Sequence, residues 1–334
     1  MSNPAAPLSD AELAQSAAVL DRLTSTLNTV LFGQEKLVEI VVAGVLARGH
    51  LLLEGLPGLG KTELVKGLAH ALGLSTRRVQ FTPDLLPGDI TGNPIFEDGA
   101  AGRRFVFQRG PVFTNILLAD EINRASPKTQ SALLEAMQER RVTAGGETHT
   151  LPDPFFVLAT QNPIDLEGTY PLPEAQLDRF LFKLDVRPPS TAVEKAILAS
   201  HLAGFDAAAL DRMGLNRITT PEELVTMQQA IRGVRVDDSL LEYIADIVGR
   251  TRSHRSLYFG ASPRASIALL GGAQARAVSA GRDFVIPDDV KALAPAAIRH
   301  RVGLQPDAEI EGVSADDCVA EILREVRVPA TIAA

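Results

Sequence analysis

The chain has 334 residues, a formal net charge of −8, a single cysteine (Cys318) and no tryptophan. That length allows one large or two ordinary domains, and a lone cysteine excludes an internal disulfide, which fits a reducing, cytoplasmic setting. The acidic balance argues against broad, sequence-independent binding of nucleic acid, no apolar run approaches a membrane span, and the N-terminus lacks a signal pattern.

Met1 to Leu8 are small and proline-containing and are expected to lie loosely outside the packed fold. Ser9-Asp10-Ala11-Glu12 has the form of a capping box, starting a helix that turns Leu13, Leu20, Leu23 and Leu27 inward. Gly33-Gln34 interrupts, and Leu37, Ile40, Val41 and Leu46 carry a second helix towards an apolar strand, His50 to Glu54. Gly55-Leu56-Pro57-Gly58-Leu59-Gly60-Lys61-Thr62 follows at once and satisfies G-x-x-x-x-G-K-[ST] at every fixed position. Glu63 to Leu72 is then apolar at helical spacing, with Gly73 where a C-cap belongs. Strand, glycine loop and helix form the arrangement that phosphate needs. Glycines let backbone N–H groups close around phosphate oxygens, and the positive helix end adds to the field. In that setting Lys61 reaches the β- and γ-phosphates, and the Thr62 hydroxyl holds Mg²⁺. The bland reading is a glycine-rich turn that binds nothing. Six scattered histidines show no zinc spacing, so the expected metal is Mg²⁺ carried with ATP.

Arg77 to Phe81 reads as a second strand. From Pro83 to Phe113 the density of proline and glycine excludes a long helix, and Ile95-Phe96 and Phe105-Val106-Phe107 flank a turn at Asp98 to Gly102. This predicts a projecting hairpin, functional or else a cover for a sheet edge. Asn115 to Glu121 is apolar and ends in two acids, as a buried parallel strand does when its carboxyl end opens on a ligand crevice. Asp120 suits the Mg²⁺ shell, and Glu121 suits activation of the attacking water. Ser126-Pro127 opens a helix burying Leu133, Leu134 and Met137. Arg141 to Leu151 reads as a second hairpin around Gly145-Gly146. Phe155 to Thr160 is a further core strand that delivers Gln161-Asn162 to the same crevice. There Asn162 can hydrogen-bond water or the γ-phosphate, or serve as a plain strand-end turn residue.

Arg187-Pro188-Pro189-Ser190 marks a domain boundary, dividing residues 1–187 from a helical unit over 190–334. Thr220-Pro221-Glu222-Glu223 is a capping box, and Asp237 opens a helix with Leu240, Leu241, Ile244, Ile247 and Val248 expected inward. Ser262-Pro263-Arg264 starts another helix. A cation in a first turn opposes the helix dipole, so Arg264 is expected either to grip phosphate or to sit in a surface ion pair.

Together these residues resemble the AAA+ ATPases, and within them the MoxR family, from Phe32-Gly33-Gln34 to Arg299-His300-Arg301. Gly55 to Thr62 looks like Walker A and Leu117 to Asn123 like Walker B. Ala159-Thr160-Gln161-Asn162-Pro163 matches the sensor 1 strand, implying Asn162. Pro173 to Phe180 looks like the arginine-finger segment, implying Arg179, with Arg124 as the other candidate. Ser262-Pro263-Arg264-Ala265 resembles sensor 2, implying Arg264. The two hairpins are similar to those of the branch holding MoxR, magnesium chelatase and MCM-like proteins. The likeness implies a five-stranded parallel sheet between helices, followed by an all-helical lid. It also implies ATP contacts from Gly33, Gln34, Gly55, Leu56, Pro57, Gly58, Leu59, Gly60, Lys61, Thr62, Glu63 and Asp120. It further implies a homo-hexameric ring and a chaperone-like ATPase that remodels or matures a protein complex, with a von Willebrand factor A-domain partner on a separate chain. Two other classes stay open. A nucleic-acid motor would use Arg103, Arg104, Arg109, Arg140 and Arg141 on the hairpins. A nucleotide-dependent assembly switch would have no need of the water-activating Glu121.

Overall fold

The computed structural model describes residues 8–56, 58–99, 102–163, 168–204 and 216–329. Residues Met1 to Pro7, loop position Pro57 and the first hairpin's tip at residues 100 and 101 lie outside the described set. Two helices, α1 (Asp10–Val30) and α2 (Glu35–Leu46), lead into β1 (Leu51–Glu54) and α3 (Lys61–Leu72). Next come β2 (Thr76–Gln80), short α4 (Pro87–Thr91), the hairpin β3 (Gly92–Gly99) and β4 (Gly102–Arg109), and β5 (Ile116–Asp120). The helix α5 (Pro127–Glu139) precedes a second hairpin, β6 (Arg141–Ala144) and β7 (Glu147–Thr150), then β8 (Phe156–Gln161), α6 (Glu174–Leu177) and β9 (Phe182–Asp185). The remainder is helical: α7 (Thr191–Leu202), α8 (Pro221–Ala230), α9 (Asp238–Thr251), α10 (Pro263–Ser279), α11 (Pro287–Ile298), α12 (Pro306–Ile310) and α13 (Ala315–Glu325). A small antiparallel pair, β10 (Leu257–Phe259) and β11 (Gly303–Leu304), is set among them.

The central sheet has five parallel strands in the order β2-β5-β8-β1-β9. Side chains alternate between its faces, and the apolar runs serve both. Leu51 and Leu53 point into one core with α1, α2 and α3, while Leu52, Leu117 and Val157 point into the other with α4 and α5. The first core does not stop at the Pro188-Pro189 boundary. Leu269, Ala273 and Leu293 of the helical unit share it with Leu46, Leu51 and Phe182. Small residues make that approach possible: a Cβ on Gly272 would stand 2.6 Å from Leu293 and 2.7 Å from Phe182.

The predicted caps form. Ser9 and Glu12 close a capping box at α1, and Thr220 and Glu223 do so at α8. One inward assignment is corrected on α9. Leu241 is 43% exposed, and Tyr243 is buried in its stead. At about 100° per residue, Leu240, Tyr243, Ile244, Ile247 and Thr251 share one stripe, whereas Leu241 lies to its side.

The first hairpin leaves the body through a tight crossing. A Cβ on Gly92 would stand 2.3 Å from the Gln108 carbonyl oxygen, and one on Gly110 would stand 2.3 Å from that of Ile90. Only glycine fits at either strand end. Beyond the crossing Phe96 and Phe105 face each other edge to face, 5.3 Å between centroids, and both are exposed.

At the amino end of the sheet, His50 binds three elements into one. Its Nδ1 accepts from the Val157 N–H (2.9 Å), so Nε2 carries the proton and donates to the Met137 carbonyl (3.0 Å). Burial pulls this imidazole down to about 4; the Met137 bond opposes the shift and Arg140 adds to it. Burial likewise holds buried His300 well below its ordinary range, with Arg301 adding to the effect. In the unfolded chain histidine titrates near pH 6.5, so the unfolded state takes up the proton first on acidification. Stability is therefore full above about pH 6.5 and falls as pH drops towards about 4, with His50 accounting for up to about 3 kcal/mol. Urea melts over that window should show a shallower fall for His50→Gln than for the unaltered chain. Equal slopes would contradict this account.

Candidate active site

The parallel register brings the strand ends level. Glu54 lies beside Gln161 on one side and Asp185 on the other, and Gln80 lies beside Asp120. The carboxyl ends of β1, β5 and β8 thus open on one crevice, as expected for a sheet of this type. The loop after β1 takes the shape phosphate requires. Gly58 and Gly60 both have φ of +80°, and a Cβ on Gly58 would meet nothing within 4 Å. Gly60 begins α3 with no side-chain cap, so the first N–H groups of that helix have no side-chain acceptor. Gly55 cannot be larger, since its Cβ would stand 2.5 Å from the Val186 carbonyl oxygen. The Gln34 amide donates to the Leu59 carbonyl (3.4 Å), and Gly33 (φ +67°) packs on Val193 of α7. Gly33 and Gln34 therefore border this loop, together with Leu56, Thr62 and Glu63 on or beside it.

Lys61 folds back so that Nζ donates to the Gly55 carbonyl at 2.6 Å. Burial lowers its pKa, while Asp120, Glu121 and Glu54 pull it upward. Asp120 closes β5 with both oxygens engaged. One accepts from the Thr160 hydroxyl (2.6 Å) and the other from Arg78 (2.6 Å). Glu121 sits in the left-handed region (φ +55°), a strained conformation of order 1 kcal/mol or more for a residue with a Cβ. Its N–H donates to the Thr160 oxygen (2.8 Å), which fixes that turn. Its carboxylate accepts from Gln80 (2.8 Å) and Arg124 (3.0 Å). Asn162 follows β8 and is almost wholly buried.

Arg78, Gln80 and Thr160 were not singled out from sequence. Two sit on β2 and one on β8, and only the pairing of both strands with β5 brings them to the acids. The alternation of β2 gave a signal: Arg78 and Gln80 share one face.

The structure does not bring Arg179 and Arg264 to this crevice. Arg179 precedes β9, and the Leu181 N–H beside it donates to the His50 carbonyl at the amino end of β1. Arg264 opens α10, and with Arg179, Gly49, His50, Arg48 and Arg140 it lines a cleft of about 310 Å³. That cleft is separated from the phosphate loop by the length of β1, roughly 13 Å. Of the two expectations for Arg264, a grip on phosphate or a surface ion pair, the structure of the single chain shows the ion pair. Arg264 pairs with Asp178 (3.6 Å), while Arg179 rests on the Leu134 carbonyl (3.0 Å). Among the described residues Arg179 has no carboxylate within 4 Å, so it does not pair with Asp178 or Glu174. Arg124 points the other way, onto Glu121 of its own chain (3.0 Å).

Four of the five arginines named on or beside the hairpins have partners within the chain. Arg104 faces Glu97 (3.9 Å), Arg141 faces Glu139 (3.1 Å), and Arg109 lies over the Phe113 ring (5.2 Å). Arg140 turns away to donate to the Arg48 carbonyl (3.1 Å).

Residues 50–182 match the ATPase family associated with various cellular activities (AAA), and residues 249–322 match the AAA lid domain. YeaC of Bacillus subtilis is 48% identical over 93% of this chain and 95% of its own. Chaperone MoxR1 of Mycobacterium tuberculosis is 42% identical over 97% of this chain and 86% of its own. The chain belongs to the MoxR family of AAA+ ATPases. Its fold is shared with a crystal structure from Cytophaga hutchinsonii described as that of a candidate ATPase, with a TM-score of 0.85 and 37% identity. That likeness covers 95% of this chain and 98% of the other. In this MoxR-family chain no helix of the described residues is long and apolar enough to cross a membrane.

The residues present fit a magnesium–nucleotide complex. Gly58 has open space where a Cβ would otherwise stand, and Thr62 and Asp120 offer a hydroxyl and a carboxylate, the kind of oxygen donor a hard divalent ion takes. The sequence expects Lys61 to hold phosphate and Glu121 to activate water, and the two roles separate by mutation. Lys61→Ala should lose ATP binding, whereas Glu121→Gln should keep it and lose turnover by about 100-fold or more. Titration with a fluorescent ATP analogue and steady-state phosphate release check both. Hydrolysis by Glu121→Gln within a few-fold of the unaltered chain would remove Glu121 from that role.

Proposed function

We propose that this chain is a Mg²⁺-dependent ATPase whose sites are completed between neighbouring subunits of a homo-hexameric ring, and whose turnover remodels or matures a protein complex. The observation that carries the reading is the division of the functional side chains between two ends of one sheet. Lys61, Thr62, Asp120, Glu121 and Asn162 gather at the carboxyl ends, while Arg179 and Arg264 gather at the amino ends. A phosphate loop at one end of the sheet and the pair Arg179 and Arg264 at the other suit head-to-tail packing in a closed ring.

Bound Mg²⁺ would neutralise charge between the β- and γ-phosphates, held by the Thr62 hydroxyl and Asp120. The loop N–H groups and Lys61 then fix the phosphates. To hold the ion, Asp120 would give up its contact with Arg78. Glu121 takes the proton of the attacking water once it leaves Gln80 and Arg124, and Asn162 orients that water. Arg179 and Arg264 of the next subunit meet the charge that develops on the transferred group, a contribution of about 10³ or more in rate.

Family likeness supports a chaperone-like role, and one relative is named a chaperone. The client-facing elements are the two hairpins, which supply no nucleotide-site residue, and the von Willebrand factor A-domain protein is the partner class. The engaged hairpin arginines favour a protein client over a nucleic-acid track.

Two measurements test this. Arg179→Ala and Lys61→Ala should each be nearly inactive. Mixed under subunit exchange they should recover turnover, because some interfaces join an intact loop to an intact finger. Verified mixed rings without recovery would remove Arg179 from action in trans. Separately, replacing Ile95 to Phe107 by a short Gly/Ser turn should leave ATP affinity and melting within about 2-fold and a few degrees, while remodelling is abolished. An unfolded product would make the hairpin a structural element instead.

A further inference from the structure

The triplet Arg299-His300-Arg301 follows directly on α11 of the lid, and all three side chains reach the edge strand β9 or its lead-in. Arg299 meets Asp185 at the strand's carboxyl end (2.9 Å) and grips Asp316 of α13 with two hydrogen bonds (3.0 and 2.7 Å). His300 donates from Nε2 to the Phe180 carbonyl (3.0 Å). Arg301, only 3% exposed, makes the densest set. Its Nε donates to the Asp178 carboxylate (2.7 Å). One terminal nitrogen donates to the carbonyls of Leu181 (3.0 Å) and Ala297, and the other to those of Asp178 (3.0 Å) and Phe180 (2.6 Å).

The segment held this way, Asp178 to Leu181, lies between α6 and β9 and carries Arg179. A short irregular segment must find partners for its carbonyls. Here three of its four carbonyls, those of Asp178, Phe180 and Leu181, find them on one lid guanidinium rather than on the sheet. Asp178 extends the connection. Its carboxylate also accepts from the Ser262 hydroxyl (3.0 and 3.1 Å) and faces Arg264 (3.6 Å). Ser262 caps α10, so the helix that presents Arg264 and the segment that presents Arg179 are joined at one carboxylate.

We propose that Arg301 is a positioning residue for Arg179, fixing the finger segment to its own subunit's lid so that lid placement sets the finger's reach into the neighbouring site. This rests on the reading of Arg179 as a cation supplied in trans. The planar fork of arginine serves several acceptors in fixed directions, which the three donors of a lysine ammonium do not reproduce. A displacement of about 1 Å at a catalytic group costs on the order of 100-fold in rate.

The test is complementation in mixed rings with ATP as the probe. Arg301→Gln and Arg301→Lys should bind ATP within about 3-fold of the unaltered chain and lose about 10- to 100-fold in kcat. Mixed with Lys61→Ala, which carries an intact finger, Arg301→Gln should regain turnover. Mixed with Arg179→Ala it should not, since no interface then holds a placed finger. If Arg301→Gln does not fold, Asp178→Asn keeps the volume, removes the shared carboxylate charge, and carries the same expectations. Failure of Arg301→Gln with Lys61→Ala, where Arg179→Ala with Lys61→Ala recovers, overturns this proposal and leaves the trans finger standing. Failure of both mixtures overturns the trans finger and this proposal with it. Unaltered kcat in a folded Arg301→Gln also overturns it.

Discussion

Parallel pairing in register is the constraint from which the site follows. Because β1, β5 and β8 end level, a glycine loop, two acids and a neutral amide from distant parts of the chain share one crevice. No side chain needs to be long to reach it. The same pairing sets the opposite boundary: whatever precedes β1 and β9 must gather at the other end, where Arg179 and Arg264 stand with His50 and Gly49. A sheet with the phosphate-loop motif and two acids at one end of its strands and two arginines at the other has polarity, and a polar unit is suited to assembling head to tail.

Electrostatics in the crevice is arranged as a set of exchangeable partners. Asp120 and Glu121 are adjacent carboxylates that would repel if left alone. Arg78 and Thr160 occupy the first, while Gln80 and Arg124 occupy the second. Each of these contacts is partly exposed and therefore modest, on the order of 1 kcal/mol or less for an ion pair at a surface. Modest contacts can be traded for a metal or a water without a large barrier. The left-handed backbone at Glu121 is of a different kind, because the Thr160 hydroxyl holds it from both sides of the Asp120–Glu121 peptide.

Much of this was legible in the chain. The loop from Gly55 to Thr62, the acids after β5 and the amide after β8 each follow an apolar run with distinct boundaries, so strand ends and site residues were located together. The hairpins announced themselves through glycine and proline. What sequence could not convey was adjacency between strands. Arg78 and Gln80 look like ordinary exposed residues until β2 is laid beside β5. Leu241 was placed inward because its chemistry matched a stripe whose exact bearing depends on what the helix packs against, and Tyr243 faces that side instead. For Arg264 the sequence left phosphate grip and surface ion pair open, because a motif does not give the face of the sheet its helix will meet. The shared core that carries α10 onto α2 and β9 decides that face.

The pinched base of the first hairpin has a mechanical consequence. At Gly92 and Gly110 the two backbones touch where they leave the body, and the Val112 N–H ties the exit to the Ile90 carbonyl (3.1 Å). A mount of this kind transmits torque better than a flexible linker would. Each arm is eight residues long, so Gly99 stands roughly 24 Å along the strand from Gly92, and Phe96 roughly 14 Å. A tilt of about 10° in the layer that holds α4 would sweep Gly99 through roughly 4 Å and Phe96 through roughly 2 Å, at the arm lengths strand geometry gives. Mounted this way, the hairpin would act as a lever arm, enlarging a small rotation at α4 towards Phe96, Phe105 and the strand ends beyond them.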